Sequence, residues 1–273
     1  MAVRAAPCLR GCPVPVPVGD ARLRPVSDLR SQPAPRRAVA ALPSLRTPHA
    51  RLAGAALVGT PGVAAVAFVL VGPAPDAVGL AVAGHLTGAG LAVLLLRRGY
   101  PHAALGLCNL VTLLRLGLTA ALLAPLLAPA SGWAVLAVAL VAFALDGVDG
   151  WLARREGRSS AFGARFDMEV DAALGLVLAL DAWAAGTVGP AVLLLGVPRY
   201  GFLVAARFLP WLDRPLPERF GRKAVCVVQI AVLIGLQAPV FPPAVAGGLV
   251  AVAAAALAWS FGRDVRWLRR NRS

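Results

Sequence analysis

Residues 132–173 read GWAVLAVALVAFALDGVDGWLARREGRSSAFGARFDMEVDAA: an apolar run that turns acidic, crosses a basic loop and turns acidic again. The run over 132 to 153 reaches the roughly 20 residues that a helix rising about 1.5 Å per residue needs to cross about 30 Å of hydrocarbon. The whole chain has the same character. Of its 273 residues 59% are hydrophobic and 15% charged, well below the roughly 25% charge of soluble domains, and the mean hydropathy is +0.74. This is the composition of an integral membrane protein. In lipid every backbone N–H and C=O must be satisfied internally, which permits helices or a closed barrel; long uninterrupted runs select helices. Eight such runs follow one another, at about 52–72, 77–96, 106–128, 132–153, 162–186, 188–208, 223–240 and 243–262.

The formal charge is +14, from 27 basic and 13 acidic residues, and Lys223 is the only lysine. The bases flank the apolar runs as the positive-inside rule expects, and no groove-reading module is present, so membrane lipids are the expected counter-charge and nucleic acid is not. Residues 1–50 are rich in Pro and Arg, with PVPVPV at 13–18, and read as a disordered cytoplasmic tail. With the amino terminus inside, Arg97/Arg98, Arg154/Arg155/Arg158, Arg214/Arg219/Arg222/Lys223 and the bases from Arg263 to Arg272 fall on one side, and short neutral or acidic turns on the other. Both termini are therefore expected in the cytoplasm, on a multi-pass protein of the cell membrane. Residues 51–100 form an accessory transmembrane hairpin whose lone His85 reads as a packed residue, residues 101–263 a six-span unit, and residues 264–273 a basic tail. Cys8, Cys12, Cys108 and Cys226 have no zinc-like spacing and carry no assignment.

The acids of the opening stretch are the exceptional feature. A carboxylate well inside a membrane helix costs roughly 2.5–3.5 kcal/mol on insertion scales and usually faces a cavity or a partner. Asp146 and Asp149 are three apart, Asp167 and Asp171 four apart, so each pair occupies one face of its helix. The two helices are consecutive, joined by a short basic loop, and are expected to pack as an antiparallel hairpin. Asp149 with Asp167, and Asp146 with Asp171, have nearly the same midpoint in that loop and should lie at matching depths near its cytoplasmic mouth. Four convergent carboxylates make an all-oxygen site for hard divalent cations, Mg²⁺ or Mn²⁺, with room for one or two ions. The alternative is a structural salt-bridge network with Arg115, Arg154 and Arg165, bases too few to balance the acids. Gly150 and Gly163, with Ala153 one turn on, let a ligand or facing helix approach, or serve ordinary small-residue packing. Glu169 falls roughly 200° round the helix from Asp167 and should face away, toward an Arg or the interface. Asp181 reads as a boundary residue.

The pattern Asp146-x2-Asp149-Gly150-x2-Ala153-Arg154-x8-Gly163-x3-Asp167-x3-Asp171 resembles the signature of the CDP-alcohol phosphatidyltransferases. The likeness covers about 104–262, and implies that family's all-α fold: a polytopic membrane helical bundle with a six-helix core, here preceded by a two-helix hairpin. It implies transfer of a phosphatidyl group from CDP-diacylglycerol to an alcohol with release of CMP, and in a cell a homodimer. It implies that Asp146, Asp149, Asp167 and Asp171 bind the two ions that clamp the pyrophosphate, with Asp171 also the general base for the acceptor hydroxyl. Gly150, Ala153, Arg154, Ser160 and Gly163 would surround the CDP moiety. CNLVTLLRLG at 108–117 is similar to the family's first core helix, which adds Asn109 and Thr112 as nucleotide contacts and Arg115 as a charge facing the cavity; Thr112 bonding back to its own helix is the structural alternative.

Arg199, inside the span 188–208, and Arg207, near its end, are with Arg115 the candidates for the acceptor site, since a deep Arg should face a cavity or an acid. GRKAVCVVQ at 221–229 loosely resembles a segment of phosphatidylglycerophosphate synthases, keeping Gly221, a displaced Lys223 and Gln229, but Val225 stands where they have threonine and Tyr200 follows Arg199 where they have glutamate. Glycerol 3-phosphate is the first acceptor expected, with inositol phosphate or phosphatidylglycerol open. The competing class is an ion- or proton-coupled transporter, for which intramembrane acids also speak; the acids' place near one membrane face and the lack of an internal repeat speak against it.

Overall fold

The computed structural model describes residues 47–98, 100–156, 160–213 and 220–271. The expected tail over 1–50 lies outside these apart from its last residues, as do Arg158, Arg214, Arg219, Arg272 and the side chains of Arg222 and Lys223. The helices are α1 (Pro48–Val71), α2 (Pro75–Arg97), α3 (Leu107–Ala121), α4 (Gly132–Glu156), α5 (Ala161–Ala184), α6 (Leu193–Gly196), α7 (Pro198–Phe208), α8 (Phe220–Gly235) and α9 (Pro243–Arg270). No strand occurs among the described residues. The protein is an all-α polytopic bundle, with α1 and α2 as a hairpin preceding the rest.

Among the described residues five segments are long and apolar enough to cross a membrane: α1, α2, α3 with the short turn after it (Leu107–Leu126), α4 and α9. Helix α5 has the length but carries Arg165, Asp167, Glu169 and Asp171 in its first turns. The expected span over 188–208 is a broken one, bent by 63° between Pro190–Gly196 and Pro198–Phe208. Its break falls at Pro198, which starts α7 and lacks the N–H that would continue the helix before it. Helix α8 is only 16 residues long. Helix α9 runs 28 residues to Arg270, about 42 Å, so most of the expected basic tail is its last turns extending past the hydrocarbon.

Helix α3 is the centre. Of its apolar window 67% is buried, against 22–28% for the other spans, and it packs on α1, α2, α4 and α5. Its buried polar residues Asn109, Thr112, Arg115 and Thr119 recur at three- and four-residue intervals and so share one stripe. The expected close α4–α5 hairpin is not what forms: α4 leans chiefly on α3, which also lies against α5. The loop between α4 and α5 fixes their relative depth, while α3 takes the space between their acidic faces.

Packing on both sides of this centre is apolar. Leu52, Leu96, Leu113, Leu116, Phe162 and Phe166 join the amino-terminal hairpin to α3 and α5; Leu174, Leu178, Leu195, Leu233, Val250 and Leu257 join α5, α6, α8 and α9. His85 is packed as expected, 2% exposed, its Nε2 3.0 Å from Ala56 O of α1. Large exposed residues such as Val58, Val69, Val252 and Trp259 suit a lipid-facing surface. Gly196 holds α6 on α5: a Cβ there would stand 2.9 Å from Leu176 Cα and 3.0 Å from Ala179 Cβ. Neither neighbour is a flexible side-chain end, so Gly196→Val is expected to cost about 1–3 kcal/mol, read as a lowered unfolding midpoint in detergent.

Candidate active site

Arg115, 1% exposed, projects from α3 into the gap between α4 and α5. Its Nε donates to Ala142 O of α4 at 3.2 Å. Its Nη1 donates to Asp149 Oδ2 at 2.9 Å and to Asp167. Its Nη2 donates to Asp171 and pairs with Asp146 at 3.0 Å. The depth matching read from the sequence is therefore visible on one guanidinium: Asp149 and Asp167 share one of its nitrogens, Asp146 and Asp171 the other.

Four of the five N–H donors of a guanidinium are thus hydrogen-bonded, and Asp146 is held as an ion pair. Arg115, expected as a charge facing the cavity and as an acceptor-site candidate, has these donors engaged by three of the acids and by Ala142 O. The salt-bridge network weighed against a metal site exists with Arg115; Arg154 and Arg165 form no ion pair with these acids among the described residues. One cation among four carboxylates leaves a strongly negative cluster, and excess charge of one sign in a low-dielectric site calls for further cations.

The donor set fits a hard divalent ion. Asp146, Asp149 and Asp167 each offer a carboxylate oxygen, all within 4.8 Å of one another, and carboxylate oxygens are the ligands such ions take. Asp171 stands outside this trio. Asp149 is the inner member, its side chain 6% exposed, while those of Asp146, Asp167 and Asp171 are 37–45% exposed. Thr112 Oγ1 lies 3.0 Å from both Asp149 Oδ2 and Cys108 O, so its one proton is shared between the acid and its own helix, the second being the structural alternative weighed for it.

Beside the acids opens a cavity of about 200 Å³. Asn109, Thr112, Gly150, Ala153, Arg154, Ser160 and Gly163 all line it, together with Asp149 and Asp167. Ser160 caps α5, its Oγ accepting from Gly163 N–H at 3.0 Å, so the positive end of a 24-residue helix faces the cavity, an arrangement suited to phosphate. A Cβ on Gly163 would lie 3.2 Å from Ser160 Oγ and 3.3 Å from Asn109 Oδ1; one on Gly150 would meet only the far end of Arg154, at 3.4 Å. Gly163→Val therefore intrudes on the cavity, and KM for a substrate bound in it is expected to rise roughly tenfold or more, the scale of a misplaced methylene in a pocket.

Three supports are not evident from the sequence. Tyr100 Oη accepts from Asn109 Nδ2 at 3.1 Å and from Gly106 N–H at 3.3 Å, fixing Asn109 at the cavity wall. Cys108 and Ala164 complete that wall. Glu156 Oε2 accepts from Leu107 N–H at 3.2 Å, tying the end of α4 to the start of α3; following two arginines it looks like solvated loop charge. Glu169 faces away from the cluster as expected and pairs with Arg199 at 2.5 Å, so Arg199 balances that acid. Arg207 lies exposed in the last turn of α7, off the cavity.

A family model described as CDP-alcohol phosphatidyltransferase matches residues 105–261, more than half of the chain. The chain belongs to the CDP-alcohol phosphatidyltransferase family. No curated protein and no solved structure matches it. As a CDP-alcohol phosphatidyltransferase it is a membrane-embedded transferase of phospholipid biosynthesis, a phosphotransferase for substituted phosphate groups, and the transporter reading falls. The match begins after α2, so the amino-terminal hairpin is an addition to the part that defines this CDP-alcohol phosphatidyltransferase.

Proposed function

We propose that this enzyme transfers the phosphatidyl group of CDP-diacylglycerol to a phosphorylated polyol and releases CMP. One observation carries the reading: a single cavity is lined by every residue expected to hold the CDP moiety and by two of the four converging acids. Asp146, Asp149, Asp167 and Asp171 hold two Mg²⁺ or Mn²⁺ ions, with the compact trio as the first ligand set. Such ions, when bound, neutralise the pyrophosphate and stabilise the leaving phosphate.

The protein's own groups do the rest. Ser160 and the first turn of α5 present N–H donors and the positive helix end to a phosphate. Arg154 adds a flexible guanidinium at the same wall, where carboxylates and an arginine together suit phosphate binding. Asn109, held by Tyr100, fixes the nucleotide side. Arg115 keeps the four carboxylates convergent. Asp171, the acid outside the trio, accepts the proton of the acceptor hydroxyl as the new ester bond forms.

The cavity opens at the end of α4 and the start of α5, where Arg154 and Arg155 lie, a side which the positive-inside rule assigns to the cytoplasm along with both termini. A water-soluble CDP head then enters from that side while the acyl chains stay in lipid. Glycerol 3-phosphate is the first acceptor on the resemblance of 221–229, ahead of inositol phosphate and phosphatidylglycerol, and the enzyme works as a homodimer. The test is CMP release by purified protein given CDP-diacylglycerol, Mg²⁺ or Mn²⁺ and each acceptor in turn. Turnover with glycerol 3-phosphate alone is expected, and absence of CMP with every acceptor overturns the reading.

A further inference from the structure

A second cavity, of about 580 Å³, lies at the opposite end of the bundle. Asp181, which opens onto it, is about 20 residues along α5 from Ser160, roughly 30 Å away at helical rise. Its wall is mostly apolar, built from the turn after α3, the start of α4, the end of α5 and the turn after α8. Asp181, near the far end of α5 as expected, is 4% exposed, and neither of its carboxylate oxygens has a hydrogen-bond partner. No basic residue is among the described residues lining this cavity.

That arrangement is unfavourable as it stands. A buried carboxylate without a counter-charge is costly, and Asp181 sits in the last turn of α5, where the helix dipole is also negative. The neighbouring polar groups are acceptors or hydroxyls. Gln237 spends its Nε2 on Leu178 O at 2.9 Å and Leu233 O at 3.0 Å, which leaves its Oε1 as the atom to offer, and Thr187 adds a hydroxyl. The wall is firm at this point: a Cβ on Gly132 would stand 2.4 Å from Gln237 O.

We infer that this cavity binds a primary ammonium group carried on a small apolar body. An ammonium has three N–H donors, matching the carboxylate of Asp181, the amide oxygen of Gln237 and the hydroxyl of Thr187, and its charge removes the cost of the buried carboxylate. The apolar wall receives the carbon body, as in a pocket with a few convergent polar groups. No aromatic ring is among the described residues lining the cavity, so they offer none of the faces that select quaternary ammonium.

The test uses the full-length protein in detergent and n-butylammonium as the probe, with sodium chloride at equal ionic strength and n-butanol as comparators. A ligand that binds only the native state raises the unfolding midpoint saturably. The expected result is a saturable rise with n-butylammonium beyond that with either comparator, lost in Asp181→Asn and reduced in Ala130→Leu, which fills the cavity, while both variants release CMP at the wild-type rate. No saturable rise, an equal rise with sodium, or a rise retained in Asp181→Asn overturns the inference.

Discussion

Asp171→Asn is expected to lower the rate of CMP release by about 10²–10⁴-fold, the usual contribution of a positioned general base, with KM for CDP-diacylglycerol near the wild-type value. Asparagine keeps the shape of the side chain and cannot accept the proton. The structure separates Asp171 from its neighbours in two ways: it stands outside the compact trio, and its side chain is the most open of the four, at 45% exposure. Loss of one negative charge beside three others does not threaten the fold. A fall in kcat with KM unchanged marks an interaction made in the transition state. Asp149→Asn should behave differently, because Asp149 is buried and touches both Arg115 and Thr112; there the concentration of divalent ion needed for half-maximal activity rises. Wild-type turnover by Asp171→Asn removes that residue from the base role.

Much of this was legible in the chain because helical geometry is periodic. Spacings of three and four put the acids on single faces, and a shared loop matched their depths, so the pairing of 149 with 167 and of 146 with 171 follows from sequence positions alone. Lateral neighbours do not follow. Residue numbers say how deep Asp149 lies but not that α3, from earlier in the chain, stands between α4 and α5 and delivers a guanidinium there. Averaged hydropathy over 188–208 likewise passes across Pro198, because transfer energies add along the chain whether or not the backbone hydrogen-bond ladder is continuous. The wheel angle of Glu169 was readable, whereas its partner, Arg199, depends on where the broken α6–α7 segment returns. The place of Asp181 near a helix end was likewise readable, whereas only tertiary packing shows the turns after α3 and α8 enclosing it.

Arg115→Met should make the fold depend on divalent ion. In the wild type one guanidinium reaches all four carboxylates, and at 4.8 Å, the limit for the trio's oxygens, two like charges repel by roughly 3 kcal/mol at an effective dielectric of about 20. Arg115 and Asp149 are buried while the other three acids are more than a third exposed, so solvent screening brings the cost of removing the one cation below the roughly 3–5 kcal/mol of a fully buried pair. With chelator present, the unfolding midpoint of Arg115→Met should fall well below that of wild type; millimolar Mg²⁺ should restore most of the difference, since cations on the carboxylates replace the missing charge and bind only the folded arrangement. Arg115→Lys should lie between, keeping a charge but losing the planar fork that addresses two pairs of acids at once. An acceptor-binding Arg115 predicts the opposite pattern: KM for the acceptor rises and the unfolding midpoint in chelator is unchanged. Equal midpoints for Arg115→Met and wild type in chelator would therefore show that the acids do not need this counter-charge to converge.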